Sequence, residues 1–369
     1  MKRFKFLSII AAAFAFLFTA CNGDYRELAS GNTRDVVVIM DSTNFESETA
    51  DAIRETFGKL VFTVPNAEPS YDLTFTSFRS QDQLDRLKKQ KNIIFAAPID
   101  EETNTARQVR GFLDETVEER VRAGESFAFP VEDQWYRDQY VLILTSTSDS
   151  ALAQKIRNTD EILVNNLLEK ELKRWEYFVY EMKEQVQYSD SLWENHGFKV
   201  RIQHDYIKNI DTLNFISYRR FLPQNDRWMW VWWQDDVKDI SFIDNDWINS
   251  TRDSLSQQFI KGTRDSMYVN TYYESPAQRP VITNSFQKER LIAYETRGTW
   301  HMINGAMGGP FVNFTYYDPD TERLFMVEYS QFAPSVREKL PFVRQFRAMG
   351  RTFESDSTWT GEPDPGPES

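Results

Sequence analysis

The segment Val36-Val37-Val38-Ile39-Met40-Asp41-Ser42-Thr43-Asn44-Phe45-Glu46-Ser47-Glu48-Thr49-Ala50-Asp51-Ala52-Ile53-Arg54-Glu55-Thr56-Phe57 reads as strand, turn and helix. Five apolar residues in a row fit a strand covered on both faces. The hydroxyl and carboxylate residues behind them are helix N-caps. A helix is predicted from about Glu46 to Phe57. The same order returns at Tyr140–Leu144, Thr145–Ser148 and a helix from about Ser150. Between the two lie predicted strands at Leu73–Phe78 and Asn92–Ala97, and helices at Gln81–Lys89 and Arg107–Arg122.

Further along, Leu168, Leu172, Trp175, Val179 and Met182 are spaced 4, 3, 4 and 3, which is one apolar stripe on a long helix from Thr159 to about Glu184. Glu169, Lys170, Lys173 and Glu176 fall outside the stripe. After Gln187 the pattern becomes antiparallel. Strands are predicted at Phe198–His204, Leu213–Arg219, Arg227–Gln234, Met267–Tyr273, Leu291–Arg297, Phe311–Tyr317 and Leu324–Tyr329. Asp318-Pro319-Asp320-Thr321-Glu322 is the turn between the last two. A helix is predicted from Asp246 to Ile260 and another after Ser335, where Pro341 sets a start or a kink. The expected fold is α+β: N-terminal βα units and a long helix packed on a sheet, then a largely antiparallel sheet with two helices. The halves are 35–187 and 188–353.

The N-terminus carries a different signal. Lys2, Arg3 and Lys5 precede an apolar run from Phe6 to Phe18, broken only by Ser8. Its 13 residues span about 20 Å as a helix. That is short of the bilayer's hydrocarbon core of about 30 Å and fits a secretory signal. Thr19 and Ala20 are the small residues a lipoprotein signal peptidase needs before a cysteine. Residues 1–20 therefore read as a signal peptide, and Cys21 as the acylated first residue of the mature chain. Asn22, where Asp would favour inner-membrane retention, points to the outer membrane; the sequence leaves open its periplasmic or surface face. Residues 21–34 read as a flexible tether, and 354–369, acidic and rich in Pro, Gly and Ser, as a disordered tail.

Charge narrows the partners. The chain has 43 Lys and Arg against 56 Asp and Glu, and loss of the three signal cations takes the net charge from −13 to −16. Such a surface repels phosphates, which argues against nucleic acid. Cys21 is the one cysteine, so the body folds without disulfides.

No catalytic motif is present. In Trp228-Met229-Trp230-Val231-Trp232-Trp233, the residues Trp228, Trp230 and Trp232 share one strand face about 7 Å apart. That suits a ligand platform for sugar rings or a peptide; a strand buried on both faces explains it equally. Asn304-Gly305-Ala306-Met307-Gly308-Gly309-Pro310 lacks the Gly-Lys-Ser/Thr of a phosphate loop and reads as a hairpin loop. His196, His204 and His301 lack metal-ligand spacing, so neither a metal nor a cofactor is expected. A carboxylate pair for glycan hydrolysis needs two acids about 5–9 Å apart, and sequence selects none.

The layout resembles an uncharacterised lipoprotein family of Bacteroidota, a domain of unknown function. The resemblance rests on the Cys21 signal, the Val36–Met40 strand with its Asp-Ser-Thr turn, Trp175-Glu176-Tyr177-Phe178, and Gly298-Thr299-Trp300 through Phe311. It implies an envelope location and no assigned activity. The reading that follows is a lipid-anchored envelope protein binding a protein partner or polymer such as a glycan. The alternative is a tethered hydrolase of glycan or peptidoglycan.

Overall fold

The computed structural model describes residues 24–361 apart from 182 and 213. Cys21 and Met182 lie outside the described residues. In chain order the elements are β1 (Asp35–Ile39), α1 (Glu48–Phe57), β2 (Leu60–Val61), β3 (Glu68–Pro69), β4 (Asp72–Thr76), α2 (Gln81–Leu87), β5 (Asn92–Ala96), α3 (Asn104–Arg110), α4 (Glu115–Arg122), β6 (Ala128–Glu132), β7 (Tyr140–Leu144), α5 (Asp149–Asn158) and α6 (Asp160–Glu181). Then come α7 (Val186–His196), β8 (Phe198–Lys199), β9 (Ile207–Thr212), β10 (Phe215–Arg220), β11 (Asp226–Gln234), α8 (Asn245–Phe259), β12 (Val269–Thr271), β13 (Ile282–Lys288), β14 (Leu291–Met302), β15 (Gly308–Asp318), β16 (Arg323–Phe332), α9 (Leu340–Gly350) and β17 (Glu354–Ser355). The fold is α+β. The contacts divide it into residues 24–42 with 74–147, and residues 43–73 with 148–361.

The first unit holds a five-stranded sheet in the order β4-β1-β5-β7-β6. β1, β5 and β7 run parallel, and β6 is antiparallel to β7. Leu84 of α2 and Ala106 and Val109 of α3 pack on Ile39, Ile93, Phe95, Val141 and Ile143. The helix expected at 107–122 is two helices. Gly111 caps α3, and the Asp114 carboxylate accepts from Val117 N at 2.8 Å to start α4. A new N-cap three residues after a glycine offers the backbone a restart, which the apolar spacing alone does not reveal. The N-terminal segment is tied down earlier than the expected tether end at 34. Leu28 and Ser30 make parallel bridges to Arg137 and Gln90, and Ala29 is buried.

The second unit is built on an eight-stranded antiparallel sheet in the order β12-β14-β15-β16-β11-β10-β9, with β13 also on β14. Both faces are covered. One carries Met229, Val231, Phe314, Tyr316, Val327 and Tyr329 under Val343, Phe346 and Met349 of α9. The other carries Phe215, Trp230, Trp300, Phe311 and Met326 under Ile248 and Leu255 of α8. Double coverage explains why these strands read as nearly continuous apolar runs. Each large side chain buried this way contributes about 1.5–3 kcal/mol. Glu68 caps α9, its carboxylate accepting from Lys339 N at 2.6 Å and Leu340 N at 3.2 Å, so Pro341 sits in the first turn and no kink results.

Leu168 and Leu172 of α6 pack with Ala348 of α9, and Val179 joins the sheet core. Lys170, expected on the solvent face, is buried, as are Glu171 and Arg174. Both α1 and α9 pack on α6, which widens its buried face beyond one stripe. Sequence reading missed α7, β9 and β13, whose residues are mostly polar. The tail expected from Glu354 starts with β17, which pairs with β8; Asp356 N then donates to Gly197 O at 2.9 Å.

Candidate functional site

The α8 face of the second sheet carries the three tryptophans singled out by spacing. Trp230 is fully buried, stacked on Phe215 at 5.6 Å, and Phe215 stacks on Phe259 of α8 at 3.9 Å. Trp228 is 8% exposed and meets Trp300 edge-on at 5.2 Å. Trp232 is partly buried in the same cluster. The ladder that would stack on successive ligand rings is therefore covered. An amphipathic α8 lays Ile248, Leu255 and Phe259 across it, and that cover could not be read from the strand alone.

Trp228 instead forms one wall of a cavity of about 90 Å³. β10 and β11 provide its strand side through Ser217 and Trp228, and Phe259 to Lys261 close it at the end of α8. Met302 and Met307, on either side of the β14–β15 turn, add adaptable apolar walls. Arg219 and Asp226 also line it, ion-paired through Nε–Oδ1 at 3.0 Å. Asn209 brings β9 to the cavity, and β9 pairs only with β10 among the described strands. Ser217 Oγ and Trp228 Nε1 are buried without hydrogen-bond partners, and so are Trp230 Nε1 and Trp300 Nε1. Unpaired buried polar atoms are rare because each costs about 1–3 kcal/mol.

Residues 303–307 form the turn of the β14–β15 hairpin, with Met302 N donating to Met307 O at 2.8 Å, while Gly308, Gly309 and Pro310 of the expected loop already belong to β15 and pair with β14. At Gly309 an added Cβ would lie 1.9 Å from Gln331 O, so the glycine lets two backbones approach.

Two charge networks are buried nearby in the same unit. Arg252 of α8 grips Glu328 of β16 through two contacts of 2.8 Å, and both side chains are fully enclosed. Ser330 Oγ and Asn313 Nδ2 donate to the same carboxylate at 2.9 and 3.3 Å. Burial pushes the Glu328 carboxyl up, against the pull of Arg252. On the other face, Glu295 meets Arg347 at 2.6 Å, Arg297 at 3.2 Å and Arg351 at 3.6 Å. Burial alone would raise the Glu295 carboxyl, yet these three cations hold it below the ordinary range. Arg344, on the same face of α9, pairs with Glu171 at 3.2 Å. These acids are engaged by cations and enclosed, so they pin helices to the sheet and offer no reactive oxygen to a ligand.

The histidines are dispersed. His196 is tilted against Trp233 at 4.8 Å, and burial lowers its pKa. His301 meets Tyr272 edge-on at 5.4 Å. Among the described residues no group of three His, Cys, Asp or Glu side chains could hold a metal. No helix among them is long and apolar enough to cross a membrane.

Spacing pointed to Trp228. It gave no sign of Ser217, Arg219, Met302 or Met307, which long-range pairing brings beside it.

The fold and cavity define an α+β protein whose second unit is a doubly covered antiparallel sheet with a small lateral cavity. Its sequence carries two domains of unknown function: residues 29–179 match DUF8532, and residues 185–352 match DUF4837. No curated protein matches the chain. Among solved structures, a Mog1 mutant protein is 8% identical, covering 44% of this chain and 92% of its own, with a TM-score of 0.29. The Ran-binding protein Mog1p of Saccharomyces cerevisiae gives 7%, 43%, 90% and 0.29. Human StAR-related lipid transfer protein 5 gives 10%, 50%, 93% and 0.20. Likenesses this low carry no functional weight.

Proposed function

We propose that the chain is a lipid-anchored protein of the outer membrane, held through Cys21, which binds a protein partner by accepting one side chain in the cavity beside Trp228. The observation that carries the binding half is the cavity's size and setting. Small-molecule sites run to about 300–1,000 Å³, whereas this one is about 90 Å³. It suits a single anchoring side chain of a protein interface rather than a cofactor or a run of sugars. Exposed apolar groups stand on the adjoining strand β9 and on the β10–β11 loop: Ile207 is 68% exposed, Phe221 70% and Leu222 41%. Exposed large apolar side chains grouped like this favour association.

The hydrolase reading draws no support from this cavity. Its reaction needs two carboxylates, and Asp226, already paired with Arg219, is the one acid among the lining residues.

The two halves are tested separately. Cys21→Ala should move the protein from the membrane to the soluble fraction; retention on the membrane contradicts the anchor. A photo-crosslinking residue at Phe221, activated in the intact envelope, should give a discrete adduct with one protein. A smear or no adduct contradicts the binding surface.

A further inference from the structure

We infer that the corner of the first unit where the N-terminal segment leaves the fold is a membrane-contact surface for anionic phospholipid headgroups. This rests on the lipid anchor at Cys21 and adds an orientation to it.

The first observation is where the segment becomes fixed. Arg137 N donates to Glu27 O at 2.9 Å, and Ala29 N to Arg137 O at 2.9 Å. Ser30 N donates to Lys89 O at 2.7 Å, and Lys91 N to Ser30 O at 2.8 Å. The chain is thus held against the 88–91 and 137 loops within a few residues of Cys21.

The second is reach. At no more than about 3.6 Å per residue, Tyr25 lies within about 14 Å of Cys21 along the chain. The headgroup layer is about 5–7 Å deep on each side of the core. An acylated Cys21 therefore holds Tyr25 within about 14 Å of the headgroup layer, which leaves no room for a long stalk.

The third is chemistry. Tyr25 is 83% exposed and Leu28 63%. Amphipathic aromatic rings favour the membrane interface. Beside them run Arg86-Leu87-Lys88-Lys89-Gln90-Lys91 and Arg137. Lys88 is paired with Asp85 and Lys91 with Asp138, and Asp24 with Arg26. Arg86 and Lys89 are exposed and stand in no ion pair among the described residues. In a chain of net negative charge, exposed Arg86, Lys89 and Arg137 outnumber Glu27, the exposed acid of this segment that stands in no ion pair among the described residues, and with Tyr25 and Leu28 they fit an anionic lipid surface.

The test uses the acylated full chain, in which the Cys21 sulfur is blocked, so an added cysteine is the sole free thiol. Leu28→Cys and Lys89→Cys mark the corner. Glu102→Cys is the control: it is exposed and lies past the C-terminal end of β5, whereas Lys89 precedes its start. That strand separates them by about 17 Å. Each variant carries an environment-sensitive dye and is reconstituted into vesicles of phosphatidylethanolamine and phosphatidylglycerol. The expected result is a blue shift at positions 28 and 89, with headgroup-quencher lipid acting several-fold more strongly there than at 102. Arg86→Glu with Lys89→Glu should return the dye at 28 toward its emission in water while the protein stays vesicle-bound. Equal quenching at all three positions on sedimenting protein overturns this inference and leaves the anchor standing. Protein that fails to sediment overturns the anchor and this inference with it.

Discussion

Arg252 and Glu328 face each other across α8 and β16 as a bidentate pair, with Nε–Oε2 and Nη2–Oε1 both at 2.8 Å and neither side chain exposed. The pair fixes how α8 lies on the sheet, and so fixes the wall that Phe259 to Lys261 give the cavity. Removing one partner strands a buried charge, which costs about 3–5 kcal/mol. Arg252→Met should lower unfolding free energy by that amount in urea titrations. The double change Arg252→Met with Glu328→Leu should recover most of it. A double variant as unstable as the single one contradicts this account.

Glu295 predicts an acid response. Arg347, Arg297 and Arg351 hold its folded pKa below the ordinary range, while the unfolded value is about 4.3. A lowered carboxylate pKa contributes stability above the unfolded value, lost as pH falls through the folded one. Thermal stability should therefore drop below about pH 4.5. Glu295→Gln should be less stable at neutral pH and show a flatter acid limb. An unchanged acid limb contradicts the assignment.

Gly309 tests the hairpin. The 1.9 Å approach to Gln331 O leaves no room for a methyl group. Gly309→Ala should destabilise by about 1–3 kcal/mol in chemical denaturation, as overpacking does. A neutral outcome would mean that β15 and β16 are farther apart.

Ser217 separates stability from binding. Its hydroxyl is buried without a partner, so Ser217→Ala should be neutral or raise stability by about 1 kcal/mol on calorimetry. A loss of similar size would show that the hydroxyl is satisfied. Retaining an unsatisfied polar atom at a cavity is a cost that binding sites commonly carry.

Much of the fold was legible because its signals were local. The apolar runs at Val36–Met40 and Tyr140–Leu144, the hydroxyl caps behind them and the Asp318–Glu322 turn each specify structure within a few residues. The stripe from Leu168 to Val179 placed α6 for the same reason. What escaped was set by partners distant in sequence. Lys170 reads as a surface residue until α1 and α9 pack on α6 and bury it, and the neighbouring Glu171 meets Arg344 of α9. β9 and β13 are edge strands of mixed polarity, visible only as neighbours of β10 and β14. The cavity escaped entirely, since Ser217, Trp228 and Met302 share no motif and meet only through the sheet's register and the end of α8.

The central claim is that a partner protein seats a side chain beside Trp228. It is tested most directly by photo-crosslinking from Phe221 in the intact envelope, comparing the unmodified cavity with Ser217→Leu, whose side chain fills it. The account predicts a discrete adduct that is lost on filling, with circular dichroism and thermal stability showing the variant folded. An adduct of equal intensity in the folded, filled variant would contradict it.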